Sequence, residues 1–250
     1  MNKQHLTEAL DGIDDEYMNI LCGGERGKLL QAAISLVNIS VDDDVEKITP
    51  PPNLLFNAFR LCKFNDLKCV IVGQDPYPKK GDAMGLSFSA PSDRKVPVSL
   101  KKIYEALIEA GEMEDIPKSP DLTSWAKQGV LLLNMSLTTE IGASKAHENY
   151  WKNYVPKMIL ELSKTMAEKG NNIIWMLWGS SAQTLSDVIS MGNKQALIFK
   201  WGHPSPLNNA NKTDNPANFK YCDHFTKTNI ELVKRAPNNR RATINWDPTE

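Results

Sequence analysis

The 250-residue chain has no apolar run approaching the roughly 20 residues of a membrane-spanning helix, so no helical span is expected. Its four cysteines, Cys22, Cys62, Cys69 and Cys222, include no C-x2-C pair. That spacing argues against a zinc or iron–sulfur site, and the four read as free thiols of a reducing compartment. Lys3 and His5 followed by Glu8 and Asp11 do not form a secretory signal, so the expected location is cytoplasmic. There is no G-x-G-x-x-G loop and no G-x-x-x-x-G-K loop, which argues against a doubly wound nucleotide-binding enzyme. Repeats, low-complexity tracts and breaks in composition are also lacking. Charge of one sign is not in excess overall, with 29 Lys and Arg against 30 Asp and Glu. Its distribution is uneven. Residues 1–50 carry four basic and ten acidic side chains, and residues 191–241 carry nine basic and three acidic. Such asymmetry suits a polyanion bound on one face, although taken alone ordinary variation in surface charge accounts for it better.

What the chain does have is a set of apolar runs that break into stiff turns. Leu67 to Val72 runs into Gly73-Gln74-Asp75-Pro76-Tyr77, and Ala196 to Trp201 into His203-Pro204-Ser205-Pro206-Leu207. Gly129 to Asn134 ends on an amide, and the run from Asn172 ends at Gly179-Ser180. Runs this apolar, bounded by Gly or Pro, read as buried strands. The segments between them are helical in period. Leu100, Ile103, Tyr104, Leu107 and Ile108 form one stripe, with Ser99 as the expected N-cap, and Val155, Met158, Ile159, Leu162 and Met166 form another. Alternating strands and helices predict a three-layer α/β/α fold around a parallel sheet of about four strands. Asp42 to Pro52 is the best linker candidate, joining an N-terminal helical extension (residues 1–52) to a main domain (residues 53–250) within one globular unit. A sheet of this kind binds ligands at the carboxyl edge of its strands, where Asp75, Asn134, Ser180 and His203 would meet.

With these motifs together, the chain resembles the family-1 uracil-DNA glycosylases. The resemblance rests on GQDPY at 73–77, GLSFS at 85–89, SWAKQGVLLLN at 124–134, MLWGS at 176–180, HPSPL at 203–207 and INWDP at 244–248, in the family's order. It covers roughly residues 53–248 and implies hydrolysis of the bond between uracil and deoxyribose in single- or double-stranded DNA. Asp75 would face the developing sugar cation and orient a water, and His203 would donate a hydrogen bond to uracil O2. Asn134 would read the base edge, Phe88 would stack on the flipped base, and Tyr77 would bar the methyl group of thymine. Gln74, Ser99, Ser180 and Ser205 would lie at the flanking phosphates, and Leu207 would fill the vacated stack. No cofactor and no metal are implied. A monomer is expected, and a protein inhibitor or replication partner is left open.

The chain also departs from the family pattern. Pro78 stands where the family commonly has His, so a polar contact beside the base pocket is missing. The Pro-Pro-Ser loop reads Pro97-Val98-Ser99. Fourteen residues separate Leu207 from Cys222, and they lack the family's Arg-Gly-Phe-Phe-Gly stretch. This polar, turn-rich segment is expected to be a mobile surface loop. Its Lys212 and Lys220 would add modestly to phosphate binding against Asp214, unless it is a tolerated insertion with no role. A catalytically silent DNA-binding protein on the same fold is the main competing class. The presence of Asp75, Asn134 and His203 together argues against it.

Overall fold

The computed structural model describes residues 1–212, 215–236 and 242–249. In chain order the first helices are α1 (Lys3–Leu10), α2 (Asp15–Cys22) and α3 (Glu25–Ser40), followed by a short strand, β1 (Ile48–Thr49), and α4 (Asn57–Leu61). Next come β2 (Cys69–Gly73), α5 (Val98–Glu109), α6 (Thr123–Lys127), β3 (Val130–Asn134) and β4 (Thr139–Glu140). The chain continues through α7 (Glu148–Trp151), α8 (Val155–Glu168), β5 (Ile174–Trp178), α9 (Gly179–Gln183), α10 (Leu185–Gly192), β6 (Leu197–Trp201) and α11 (His224–Arg235).

Four strands form a parallel sheet in the order β3-β2-β5-β6. Every residue of β2, β3 and β5 is buried, as expected of strands covered by helices on both faces. Strand β6 is only half-buried and exposes Lys200, a charge that protects an open sheet edge from pairing with another chain. Helix α8 buries Val155, Met158, Ile159, Leu162 and Met166 along one stripe, and α5 buries Leu100, Ile103, Tyr104 and Leu107. Among the described residues, no helix is long and apolar enough to cross a membrane.

Three local expectations change. Helix α5 begins at Val98 with Pro97 as its N-cap, and Ser99 makes no capping bond. Proline's fixed φ suits the entry to a helix, and the Pro97 carbonyl accepts from Lys101 N–H at 2.9 Å, so the end closes without the serine. The segment from Asp42 to Pro52 is more than a linker, because β1 lies within it and pairs antiparallel with β4. The run predicted over 67–72 becomes a strand over 69–73, because Gly73 continues the ladder opposite Asn134. The INWDP motif is structural. Trp246 packs edge-on to Trp125 at 5.0 Å, and its carbonyl accepts from the Trp125 indole N–H at 2.9 Å.

Candidate active site

From β2 the chain crosses to β3 on one side, then returns past β2 to β5 on the other. Crossovers that diverge in this way leave a crevice at the carboxyl ends of β2 and β5, where ligands bind in open α/β sheets. A cleft of about 680 Å³ lies there, and Gln74, Asp75, Tyr77, Phe88, Ser99, Asn134, Ser180, His203, Ser205 and Leu207 all line it. Residues up to 133 positions apart in sequence are thus gathered by the strand ends and the turns and helix start that follow them.

Two glycines make the floor possible. A Cβ on Gly73 would lie 2.5 Å from Asn134 Oδ1 and 3.3 Å from Phe88 Cε2, so the bare backbone lets the amide and the ring converge. Gly179, at φ +85°, lets the β5 turn approach His203, whose Cβ would lie 2.9 Å from any added side chain. Phe88 itself adopts φ +63°, a costly conformation for an aromatic residue. The Tyr77 hydroxyl holds it there by donating to the Phe88 carbonyl at 2.9 Å. Phe88 therefore reaches the cleft from a strained turn, with its ring 5.5 Å from Trp178 and 6.0 Å from His203.

The polar groups are held in defined states. His203 Nδ1 accepts from Ser205 N–H at 2.9 Å, which places the proton of the neutral ring on Nε2. Burial pushes the His203 pKa below the usual imidazole range, with the nearby Asp75 charge opposing and Lys145 adding to the shift, so the ring is neutral at pH 7. Nε2 is buried without a partner, and so is Asn134 Oδ1. Buried polar atoms are nearly always paired, so two such atoms in one cleft point to a ligand that pairs them. Asp75 Oδ2 accepts from Ser144 Oγ at 2.7 Å and from Lys145 N–H at 2.8 Å. Gln74 Nε2 lies 3.5 Å from Ser181 Oγ and links the β2 and β5 turns. Ser180 is exposed, Ser99 is half-buried, and Ser205 Oγ accepts from Leu207 N–H at 3.2 Å. Leu207 is 86% exposed at the rim. Among the described residues, no three His, Cys, Asp or Glu side chains are placed to hold a metal ion.

The segment after Leu207 differs most from expectation. It forms 3-10 turns at Asn209–Lys212 and Phe219–Tyr221, and it buries Asn211 and Phe219. The Asn211 amide donates to the carbonyls of both His203 and Ser205 at 2.9 Å, while its Oδ1 accepts from Phe219 N–H at 2.7 Å. Asn208 adds a donor to the His203 carbonyl at 3.1 Å. Side-chain amides supply the hydrogen bonds that a regular element would take from backbone, so this stretch is a brace for the His203 turn. Lys212 bonds Asn209 Oδ1 and Lys220 lies over the Tyr221 ring, while Asp214 falls outside the described residues. Asn211 and Ser144 had no motif to single them out. The only sequence signal was the density of Asn between 208 and 218.

A parallel sheet that delivers one carboxylate, one neutral imidazole and one amide to a single cleft defines an α/β enzyme for a planar, polar ligand. The sequence model of the uracil DNA glycosylase superfamily matches residues 59–233. A uracil-DNA glycosylase of Campylobacter concisus is 42% identical over 202 residues, covering 80% of each chain. One from Campylobacter curvus is 37% identical and covers 96% of this chain and 91% of its own. Among solved structures, mimivirus uracil-DNA glycosylase superposes with a TM-score of 0.81 at 28% identity, covering 97% of this chain and 90% of that one. A mimivirus UNG variant in complex with UGI gives a TM-score of 0.78 at 30% identity, covering 89% and 86%. The chain belongs to the uracil DNA glycosylase superfamily.

Proposed function

We infer that this protein repairs DNA by hydrolysing the bond between uracil and deoxyribose, releasing free uracil and leaving an abasic site. The observation that carries the reading is the pair of buried, unpartnered atoms, Asn134 Oδ1 and His203 Nε2, in one cleft with Asp75. Uracil satisfies both. Its N3–H donates to Asn134 Oδ1, its O4 accepts from the same amide, and its O2 accepts from His203 Nε2–H. Cytosine presents an acceptor at N3 and donors at N4, so it opposes the amide at both positions.

As the bond between C1′ and N1 breaks, its electron pair moves onto uracil, and the charge gathering on O2 is met by the imidazole N–H. A neutral ring serves because it donates without transferring its proton. The sugar becomes cationic opposite the Asp75 carboxylate. A water attacks C1′ and gives a proton to that carboxylate, which returns it to solvent, and the departed uracil anion takes up a proton from solvent. The substrate is uracil in single- or double-stranded DNA. Flipping the base costs a few kcal/mol, and Leu207 at the rim offsets part of it by filling the stack. Gln74, Ser99, Ser180 and Ser205 take the flanking phosphates without reading sequence. The protein acts as a monomer in the cytoplasm, or in the host compartment where DNA is replicated, with residues 53–250 carrying catalysis and residues 1–52 supporting them. A protein inhibitor is a further partner, supported by the mimivirus complex with UGI.

The test is incubation with a uracil-containing oligonucleotide in EDTA, followed by alkali to cleave abasic sites. Undiminished strand cleavage is the expected result. No abasic product from single strands at micromolar enzyme would overturn the reading.

A further inference from the structure

Asp75 is held from a turn that none of the recognisable motifs contains. Both hydrogen bonds to its carboxylate fall on one oxygen, Oδ2, from Ser144 Oγ at 2.7 Å and Lys145 N–H at 2.8 Å. No donor among the described residues is bonded to Oδ1. The turn itself is fixed from several sides. Ile141 N–H donates to the Lys47 carbonyl and Gly142 N–H to the Pro78 carbonyl, each at 2.8 Å. Thr139 Oγ1 donates to the Ala143 carbonyl at 2.5 Å and accepts from Ala146 N–H at 3.2 Å. Below it, the buried His147 ring is hydrogen-bonded to Thr138 Oγ1 at 2.9 Å and to Ser40 Oγ at 3.2 Å, so α3 supports the turn as well. Lys145 adopts φ +66°, a strained conformation for a lysine, and it is this conformation that turns its N–H toward Asp75.

Exposed turns are seldom anchored this heavily, and Ser144 and Lys145 are both exposed. A serine–carboxylate bond in contact with water adds little to folding, because solvent replaces it readily. Its effect is directional. Fixing Oδ2 fixes the carboxylate plane, and it leaves Oδ1 with lone pairs free for one more donor. Position 78 is proline, so the loop that carries Asp75 offers no side-chain donor there, and the turn at 140–147 supplies the donors instead.

We propose that Ser144 is a positioning residue for the hydrolysis: its hydroxyl anchors Oδ2 of Asp75 so that Oδ1 faces the cleft and aims the attacking water. This rests on the glycosylase reading, and it adds a residue that the family motifs do not supply. A carboxylate free to rotate still neutralises the sugar cation but no longer directs the water, and small losses of alignment cost large factors in rate.

The experiment compares wild-type protein with Ser144→Ala, Ser144→Thr, Asp75→Asn and the double variant Ser144→Ala/Asp75→Asn. Each is assayed for uracil release from a single-stranded uracil oligonucleotide. Ser144→Ala should lower kcat roughly tenfold or more, the range of a lost hydrogen bond to a charged group, and leave KM within about twofold. Ser144→Thr keeps the hydroxyl and should restore most of the rate. In the Asp75→Asn background, Ser144→Ala should cost nothing further. A full-rate Ser144→Ala, a loss confined to KM, or a loss that persists without the Asp75 carboxylate would overturn the proposal. Thermal melting of Ser144→Ala should match wild type, since the residue is exposed, and a large drop would show a structural role instead. Wild-type protein that releases no uracil would overturn the function itself, an outcome distinct from an active wild type with an indifferent Ser144.

Discussion

Tyr77 and Asn134 both line the cleft, and the proposed reading gives them different roles toward the base, which single substitutions separate. The Tyr77 hydroxyl bonds the carbonyl of the strained Phe88 turn, and on the proposed reading the ring held there lies beside C5 and excludes a methyl group by overlap. Tyr77→Ala should therefore release thymine measurably while slowing uracil release. Asn134→Ala should slow uracil release and create no thymine activity. Base-release assays on uracil and thymine oligonucleotides would show this, and exchanged phenotypes would mean the walls are misassigned. That Asp75, Asn134 and His203 share one cleft was legible in the sequence, because each lies at or just past the carboxyl end of an apolar run. Ser144 was not, since its partner lies 69 residues away and a lone serine in a turn carries no signal. Nor did the sequence show that Phe88 would leave the alternating strand pattern for a left-handed turn.

At the scale of elements, the stretch from His203 to Tyr221 combines two devices with different consequences. Leu207 is exposed, and the proposed reading makes it a wedge, useful only where a stack must be refilled. Leu207→Ala should lose more activity on duplex uracil than on single strands. Asn211 braces the His203 turn from below, and its effect does not depend on a second strand. Asn211→Asp keeps the acceptor for Phe219 N–H but sets a carboxylate against two carbonyls. Each carbonyl keeps a bond from Asn208, so the loss is two hydrogen bonds at about 0.5–1.5 kcal/mol each plus the new repulsion, and release should fall roughly tenfold on both substrates. Rates measured on matched single-stranded and duplex oligonucleotides test the pair, and a duplex-selective Asn211→Asp would contradict the brace. The four parallel strands and both amphipathic helices were legible because long apolar runs and helical stripes carry strong periodicity. The pairing of β1 with β4 was not, since two-residue strands have no period and their partners lie about ninety residues apart.

The molecule as a whole should be sensitive to acid through its sheet edge. His224 is buried beside β5 and β6, with Nδ1 accepting from the Trp178 indole N–H at 3.0 Å. Burial pushes its pKa down to about 4, against 6.5 for an ordinary imidazole. Between those values the unfolded chain binds a proton that the folded protein refuses, so stability falls as pH drops from about 6.5 toward 4, by an amount on the order of 3 kcal/mol. His224→Asn keeps an acceptor that does not titrate, so its unfolding free energy should decline less over this window. Urea titrations at pH 7 and 4.5 measure the difference, and equal declines would remove His224 as a cause. The central claim concerns the cleft, where sheet topology sets one carboxylate opposite a neutral imidazole and an amide. Single-turnover release of uracil from a single-stranded oligonucleotide, wild type against Asp75→Asn, tests it most directly. The account predicts a rate lower by at least about 10² with substrate binding retained, the scale of a lost electrostatic or general-base group. Equal rates for the two proteins would contradict it.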